Sequence, residues 1–195
     1  MKLKEGLVEV YTGSGRGKTT AAFGLAFRAS GWGFKTLIIQ FMKTGKYGEN
    51  ISSRKMPENI EVRYVGKPYF IAWEEDIPLS DRQKVRNLRL YPKGHPPRDY
   101  VEMANSMMDT VEKEMKENRW DIIILDEINV AIYYSLIELK RLINLIDTKP
   151  KNVELVFTGR KVDNEIISRA SLVTEMVEIK HPYQRGIMAR KGIDF

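Results

Sequence analysis

Tyr11-Thr-Gly-Ser-Gly-Arg-Gly-Lys-Thr-Thr20 joins an apolar segment, Leu7 to Tyr11, to an alanine-rich segment that begins at Ala21. A strand, a glycine loop and a helix start follow one another in that order. Such a junction can turn the loop's backbone N–H groups inward, and the helix N-terminus adds partial positive charge. Lys18 then supplies a point charge for the outer phosphates of a nucleotide, and Thr19 can offer its hydroxyl to a magnesium ion. The usual G-x-x-x-x-G-K-[ST] pattern has glycine where this chain has Thr12, so the loop is a G-x-G-x-G-K-T-T variant. A nucleoside triphosphate is the leading ligand, and the atom at which it reacts is open at this point.

Outward from the loop, Ala21, Ala22, Leu25, Ala26 and Ala29 fall on one face of a helix beginning at Lys18 and ended by Gly31 and Gly33. Thr36-Leu-Ile-Ile-Gln-Phe41 has no alternation and reads as a strand buried on both faces of a parallel sheet. Strand, helix and strand in this spacing form a right-handed crossover. Residues 42–59 read as a polar, mobile loop, and Ile60 to Val65 as the next strand.

Residues 66–98 are rich in proline and aromatics and read as a loop and helix insertion, with a short basic helix over Ser80 to Leu90. Its Tyr69, Phe70 and Trp73 either pack under a long loop or face a ligand as a lid.

A stripe of Val101, Ala104, Met108, Val111 and Met115 predicts a helix over Asp99 to Asn118 with a core-facing side. Trp120-Asp-Ile-Ile-Ile-Leu-Asp-Glu127 is a strand ending in two carboxylates, the position from which such sheets hold magnesium beside a phosphate loop. Ser135 and Glu138 form a capping-box pair that opens a helix over Leu136 to Ile146. Val153 to Thr158 is a further strand, followed by Gly159-Arg160; Asp163 to Ala170 is a helix and Leu172 to Ile179 an edge strand. The sum is one domain over residues 1–195, a three-layer α/β fold of P-loop NTPase-like (RecA-like) type with a mostly parallel sheet. Three strand ends converge in it: the loop Gly13 to Thr20, Asp126 with Glu127, and Gly159 with Arg160.

Composition narrows the classes. The 195 residues include no cysteine and two histidines, which excludes disulfides and thiolate sites and disfavours zinc. No stretch approaches the roughly 20 apolar residues of a membrane span, and the charged start, Met1 to Glu5, is unlike a signal peptide. A cytoplasmic location is expected. The net charge of +6 is spread along the chain and suits a solvated surface or an anionic small ligand better than nucleic acid.

Several blocks together resemble the P-loop type of ATP:corrinoid adenosyltransferase: Gly13 to Gly24 with Arg28, Ile38 to Lys43, Ile124 to Glu127, Phe157 to Arg160, and the tail Lys180 to Phe195. The resemblance spans nearly the whole chain. It implies transfer of the 5′-deoxyadenosyl group of ATP to the Co(I) centre of a corrinoid, cobalamin or a precursor, with triphosphate leaving and magnesium present. Cobalt itself would be the nucleophile, so no side-chain nucleophile or general base is expected. The nucleotide is expected to lie in the reverse sense along the loop, ribose towards the corrinoid.

By position, Gly13, Ser14, Gly15, Arg16, Gly17, Lys18, Thr19 and Thr20 would cradle the triphosphate, with Arg28 and Arg160 near the nucleotide. Lys18 and Glu127 would act on the leaving group, and Thr19, Glu127 and Asp126 would hold magnesium. The family's Phe-Thr-Trp-type segment beside the corrinoid corresponds to Ile71-Ala-Trp73, with Phe70 one residue earlier. An electron-donating flavoprotein or other reductant and a homodimer are also implied. Two other readings use the same loop: a P-loop ATPase or kinase acting at the γ-phosphate, and a non-catalytic nucleotide- or nucleic-acid-binding module.

Overall fold

The computed structural model describes residues 2–55, 58–79, 82 and 87–194. The elements run β1 (Val8–Thr12), α1 (Lys18–Ser30), β2 (Thr36–Phe41), α2 (Gly48–Ser53), β3 (Ile60–Val65), β4 (Phe70–Trp73), β5 (Leu88–Tyr91) and α3 (Arg98–Glu117). They continue with β6 (Ile122–Asp126), α4 (Ile128–Tyr133), α5 (Leu139–Asp147), β7 (Glu154–Thr158), α6 (Asn164–Arg169) and β8 (Leu172–Glu175). Six strands form one sheet in the order β3-β2-β6-β7-β1-β8, every pairing parallel.

Period-two alternation along the strands divides the interior into two layers. Leu37, Ile39 and Phe41 of β2, Ile123 and Leu125 of β6, and Leu155 and Phe157 of β7 meet Tyr100, Ala104, Met108 and Val111 of α3. Ile38, Ile122, Ile124 and Val156 face the other way, onto Ala22, Phe23, Ala26 and Ala29 of α1. The small residues on α1 let that helix lie close to the sheet. This is the three-layer α/β, P-loop NTPase-like arrangement, its main sheet parallel throughout.

Some expected elements differ. Residues 42–59 contain α2, whose Asn50 side chain accepts from Tyr47 N and donates to Gln40 Oε1. A helix over Ser80 to Leu90 does not form at its end: Leu88, Arg89 and Leu90 belong to β5, which pairs in parallel with β4 as a separate two-stranded sheet. Leu-Arg-Leu-Tyr alternates, and that period suits a half-buried strand. Residues 80, 81 and 83–86 lie outside those described.

Ser135 does not open a helix either. It has φ 52° and donates its N–H to Ile132 O, ending α4. Leu136 and Ile137 are buried in the core as a link, and α5 starts after Glu138. The edge strand β8 is shorter than expected, leaving the sheet after Glu175.

Candidate active site

The same alternation that buries Ile38, Ile124 and Val156 against α1 carries Gln40, Asp126 and Thr158 onto that side at the carboxyl ends of three adjacent strands. Gln40 and Asp126 are directly paired in register. The first turn of α1 arrives above them. Thr19 donates its hydroxyl to Asp126 Oδ1 at 2.8 Å, and Thr158 donates to the same oxygen at 2.6 Å. Gln40 Nε2 and Lys43 Nζ donate to Asp126 Oδ2 at 3.0 and 2.8 Å. Asp126, with no exposed surface, therefore accepts four hydrogen bonds, and its carboxylate is saturated.

Thr158 also ties the neighbouring acid, because its oxygen accepts from Glu127 N at 2.9 Å. Glu127 has φ 61°, a left-handed conformation uncommon for a side chain of its size, and lines the cavity. Burial, followed by the Asp126 charge, raises the pKa of its carboxyl. Lys43, Lys18 and Arg160 oppose that rise.

The phosphate loop is shaped by what lies behind it. Gly13 has φ 95°, and a Cβ there would stand 2.4 Å from Met176 O. A Cβ on Gly15 would meet the same oxygen at 2.7 Å, and Gly15 N donates to it at 2.6 Å. Gly17, at φ 119°, precedes α1 without a side-chain cap, so the first-turn N–H groups are not taken by a capping residue. Lys18 Nζ donates to Gly13 O at 2.8 Å and Gly15 O at 2.7 Å, which holds the ammonium over the loop. Burial and then Arg160 lower its pKa, against the pull of Glu127 and Asp126.

These groups open onto a cavity of about 1030 Å³. Ser14 through Thr20, Glu127 and Arg160 line it, as do Phe70 and Tyr47. A long stretch of the C-terminal tail, including Tyr183, Met188 and Asp194, forms a further wall. Arg16 pairs with Asp194 at 2.8 Å and also donates to Ile193 O.

Three of the expected residues sit elsewhere. Arg28, ten residues along α1 from Lys18 and so roughly 15 Å away, lines a separate hollow with Glu9, Trp32 and Glu154. Trp73 is only 2% exposed and stands edge-on to Tyr134, with ring centroids 5.4 Å apart. Ile71 is likewise buried in the core, whereas Phe70 is 57% exposed at the cavity. Alternation in β4 explains the split between Phe70 and Ile71.

Sequence reading gave no individual role to Gln40, Lys43 or Thr158, though they lie in the blocks Ile38 to Lys43 and Phe157 to Arg160, and it passed over Glu49. The available signal was a polar residue inside or ending an otherwise apolar strand, as at Gln40 and Thr158.

The donor set fits magnesium in part. Thr19 gives its proton to Asp126 and keeps oxygen lone pairs, and the Glu127 carboxylate lines the cavity. Asp126 has no acceptor capacity left. Among the described residues no group of three or more His, Cys, Asp or Glu side chains could hold a metal. One carboxylate, one hydroxyl and substrate phosphate oxygens are nevertheless the usual surroundings of magnesium in nucleotide sites.

A glycine loop between a buried strand and a helix, with its lysine over the loop and an acid two strands away, defines a P-loop nucleotide-binding α/β protein. The family model described as ATP:corrinoid adenosyltransferase BtuR/CobO/CobP matches residues 4–195, and the chain belongs to that family. Among its relatives is a corrinoid adenosyltransferase of Sinorhizobium sp, 31% identical over 193 residues, which cover 98% of this chain and 81% of the relative. Another, from Pseudomonas aeruginosa, is 31% identical with 98% and 85% covered. The Escherichia coli K12 corrinoid adenosyltransferase is 27% identical over 192 residues, with 98% and 87% covered. No helix among the described residues is long and apolar enough to cross a membrane.

Proposed function

We propose that this chain transfers the 5′-deoxyadenosyl group of ATP to the Co(I) centre of a corrinoid and releases triphosphate. The observation that carries this reading, in a member of this family, is the convergence of the phosphate loop, Lys18, Arg160 and Glu127 on one cavity that also has an aromatic wall. In the reaction the cobalt electron pair forms the bond to C5′ while the C5′–O bond breaks, and the pair from that bond leaves on triphosphate. Protein groups are needed where negative charge accumulates. Lys18, the N–H groups opening α1 and Arg160 would stabilise the departing triphosphate, and preorganised donors of this kind are effective because they need no reorganisation during the step.

Thr19 and Glu127 would hold magnesium, with Asp126 positioning Thr19 rather than serving as a ligand. The ion would supply further charge neutralisation on the triphosphate. Phe70, which lines the cavity from β4, would meet the corrinoid; Trp73 would act from behind by fixing β4 against Tyr134. An external flavoprotein or other reductant, a homodimer and a cytoplasmic location belong to the same proposal.

The test is anaerobic incubation with reduced cobalamin and Mg-ATP, following the cobalt–carbon absorbance and assaying triphosphate. Both products should form in equal amounts. Lys18→Ala should lower kcat/KM by about 10²–10³-fold, the usual scale for losing a preorganised charge-stabilising group. Steady release of orthophosphate with no adenosylcorrinoid would overturn the assignment.

A further inference from the structure

Lys43 is delivered to the floor of the cavity by two unusual backbone features. Met42, immediately after β2, has φ 58°, a left-handed conformation that costs a non-glycine residue energy and persists only where its surroundings enforce it. Across from it, a Cβ on Gly66 would lie 2.5 Å from Lys43 N and 2.6 Å from Lys43 O, so glycine is what lets the Lys43 backbone pass. Lys43 N donates to Val65 O at 3.3 Å, fixing the bend.

The side chain is 12% exposed and joins three elements. Its ammonium lies 2.8 Å from Asp126 Oδ2 at the end of β6, 3.4 Å from Glu49 Oε1 in α2, and 3.3 Å from Thr19 Oγ1 in α1. The Tyr47 ring lies beside it, 5.3 Å from centroid to nitrogen. Lys43 is thus a fixed cation, set against an acid next to the one that faces the substrate.

We propose that Lys43 is a positioning residue of the transfer reaction: by neutralising Asp126 it keeps that carboxylate an acceptor for Thr19 and leaves Glu127, of the two acids ending β6, as the one available to the divalent cation. Through Glu49 and Tyr47 it also fastens the α2 wall to the phosphate loop. The role in catalysis rests on the proposed adenosyl transfer, whereas the charge arrangement around Asp126 does not. Removing the ammonium opens one acceptor position on Asp126 Oδ2, which Gln40 continues to share, and withdraws a positive charge from beside the cation position. Cation binding should therefore tighten while Thr19 loses its fixed orientation towards Asp126.

The experiment is a titration of the full chain with Mn²⁺ in the presence of ATP, read by electron paramagnetic resonance, together with adenosyl-transfer kinetics. Lys43→Met should bind Mn²⁺ roughly tenfold more tightly, the direction and scale expected when a nearby like charge is removed from a partly buried site. Its kcat should fall while the KM for ATP stays within about twofold, the pattern of a group acting only as the barrier is crossed.

Lys43→Gln, which retains one donor towards Asp126, should move the same way by less and serves if the methionine variant does not fold. Lys43→Arg should restore the Mn²⁺ affinity. Unchanged or weaker Mn²⁺ binding in the neutral variants would overturn the proposal. A raised KM for ATP at unchanged kcat would also overturn it, because Lys43 would then be a direct phosphate contact. The Mn²⁺ titration needs no corrinoid, so it stands whether or not the transfer reaction does.

Discussion

Thr12 occupies the position where the usual phosphate loop has its first glycine, and the structure gives a reason for the altered spacing. The backbone after β8 crosses immediately behind the loop: Thr12 O accepts from Met176 N at 2.9 Å, and Gly13 and Gly15 are the residues whose Cβ atoms would strike Met176. The glycines therefore stand where the tail passes, in the same loop to which the proposed function assigns the phosphates. Gly15→Ala cannot relieve its contact by a rotamer change, since the obstacle is backbone, and should cost about 1–3 kcal/mol, measured by denaturant unfolding, along with weakened nucleotide binding. Glu154, far from the loop, controls a different property. Burial, with a contribution from Glu9, raises its carboxyl pKa from 4.5 to about 7, against the hydrogen bond it accepts from Leu7 N. The folded chain then holds a proton that the unfolded chain has lost, so stability falls as pH rises from about 4.5 to about 7 and levels off above. Glu154→Gln, which mimics the protonated form, should remove that slope and gain on the order of 1 kcal/mol at pH 8 after allowance for partial solvent screening. Thermal unfolding of both proteins across the pH range measures it.

β4 separates two roles that the sequence presents together. Phe70 and Trp73 are three residues apart, and only the pleat and the packing of Tyr134 decide that one faces the cavity and the other the interior. Trp73→Ala should cost about 3–5 kcal/mol, as for other large aromatic deletions in a core. Phe70→Ala should change stability by less than about 0.5 kcal/mol yet raise the KM for the corrinoid, a contrast that unfolding and kinetics together measure. The legible elements were those with a strong period or an uninterrupted apolar run: α1, β2, α3, β6 and β7 all lie within a few residues of their expected bounds. With them came the loop and the strand-end acids, since strands this apolar have their polar residues at the ends. Less legible were the short pieces governed by distant contacts. α2 is held by Asn50 bonding to Gln40 of another element, β5 exists through its pairing with β4, and Ser135 lost its expected capping role because Leu136 and Ile137 are drawn into the core. The side-chain network around Asp126 was hidden for the same reason: Gln40, Lys43 and Thr158 meet only after three strands are placed in register.

At the scale of the whole chain, the polypeptide begins its sheet at β1 and returns to it at the end, where the tail passes behind Gly15 and comes back to the loop at Arg16. No residue from Ser171 to Asp194 is buried, so this tail adds little to either apolar layer, yet it forms a large part of the cavity wall. Its far end is held by Asp194, which accepts from Arg190 N at 2.9 Å and pairs with Arg16 at 2.8 Å. Half-exposed ion pairs of this kind contribute only about 0.2–1 kcal/mol, a strength that would let the wall open for a bulky acceptor and reseat. On the proposed function Arg16 would serve the tail and the phosphates in turn. Removing residues 180–195 should leave the six-stranded sheet intact, with a Tm lowered by no more than about 4 °C, the equivalent of about 1 kcal/mol for a chain of this size. The KM for both substrates should rise by about tenfold or more, corresponding to about 1.4 kcal/mol of lost binding. Asp194→Asn, which keeps the length but loses the charge, should give part of that effect and make the KM of the variant less sensitive to ionic strength than that of the intact chain. A large fall in Tm with unchanged KM would instead make the tail a brace for the loop, with no part in enclosing the substrates.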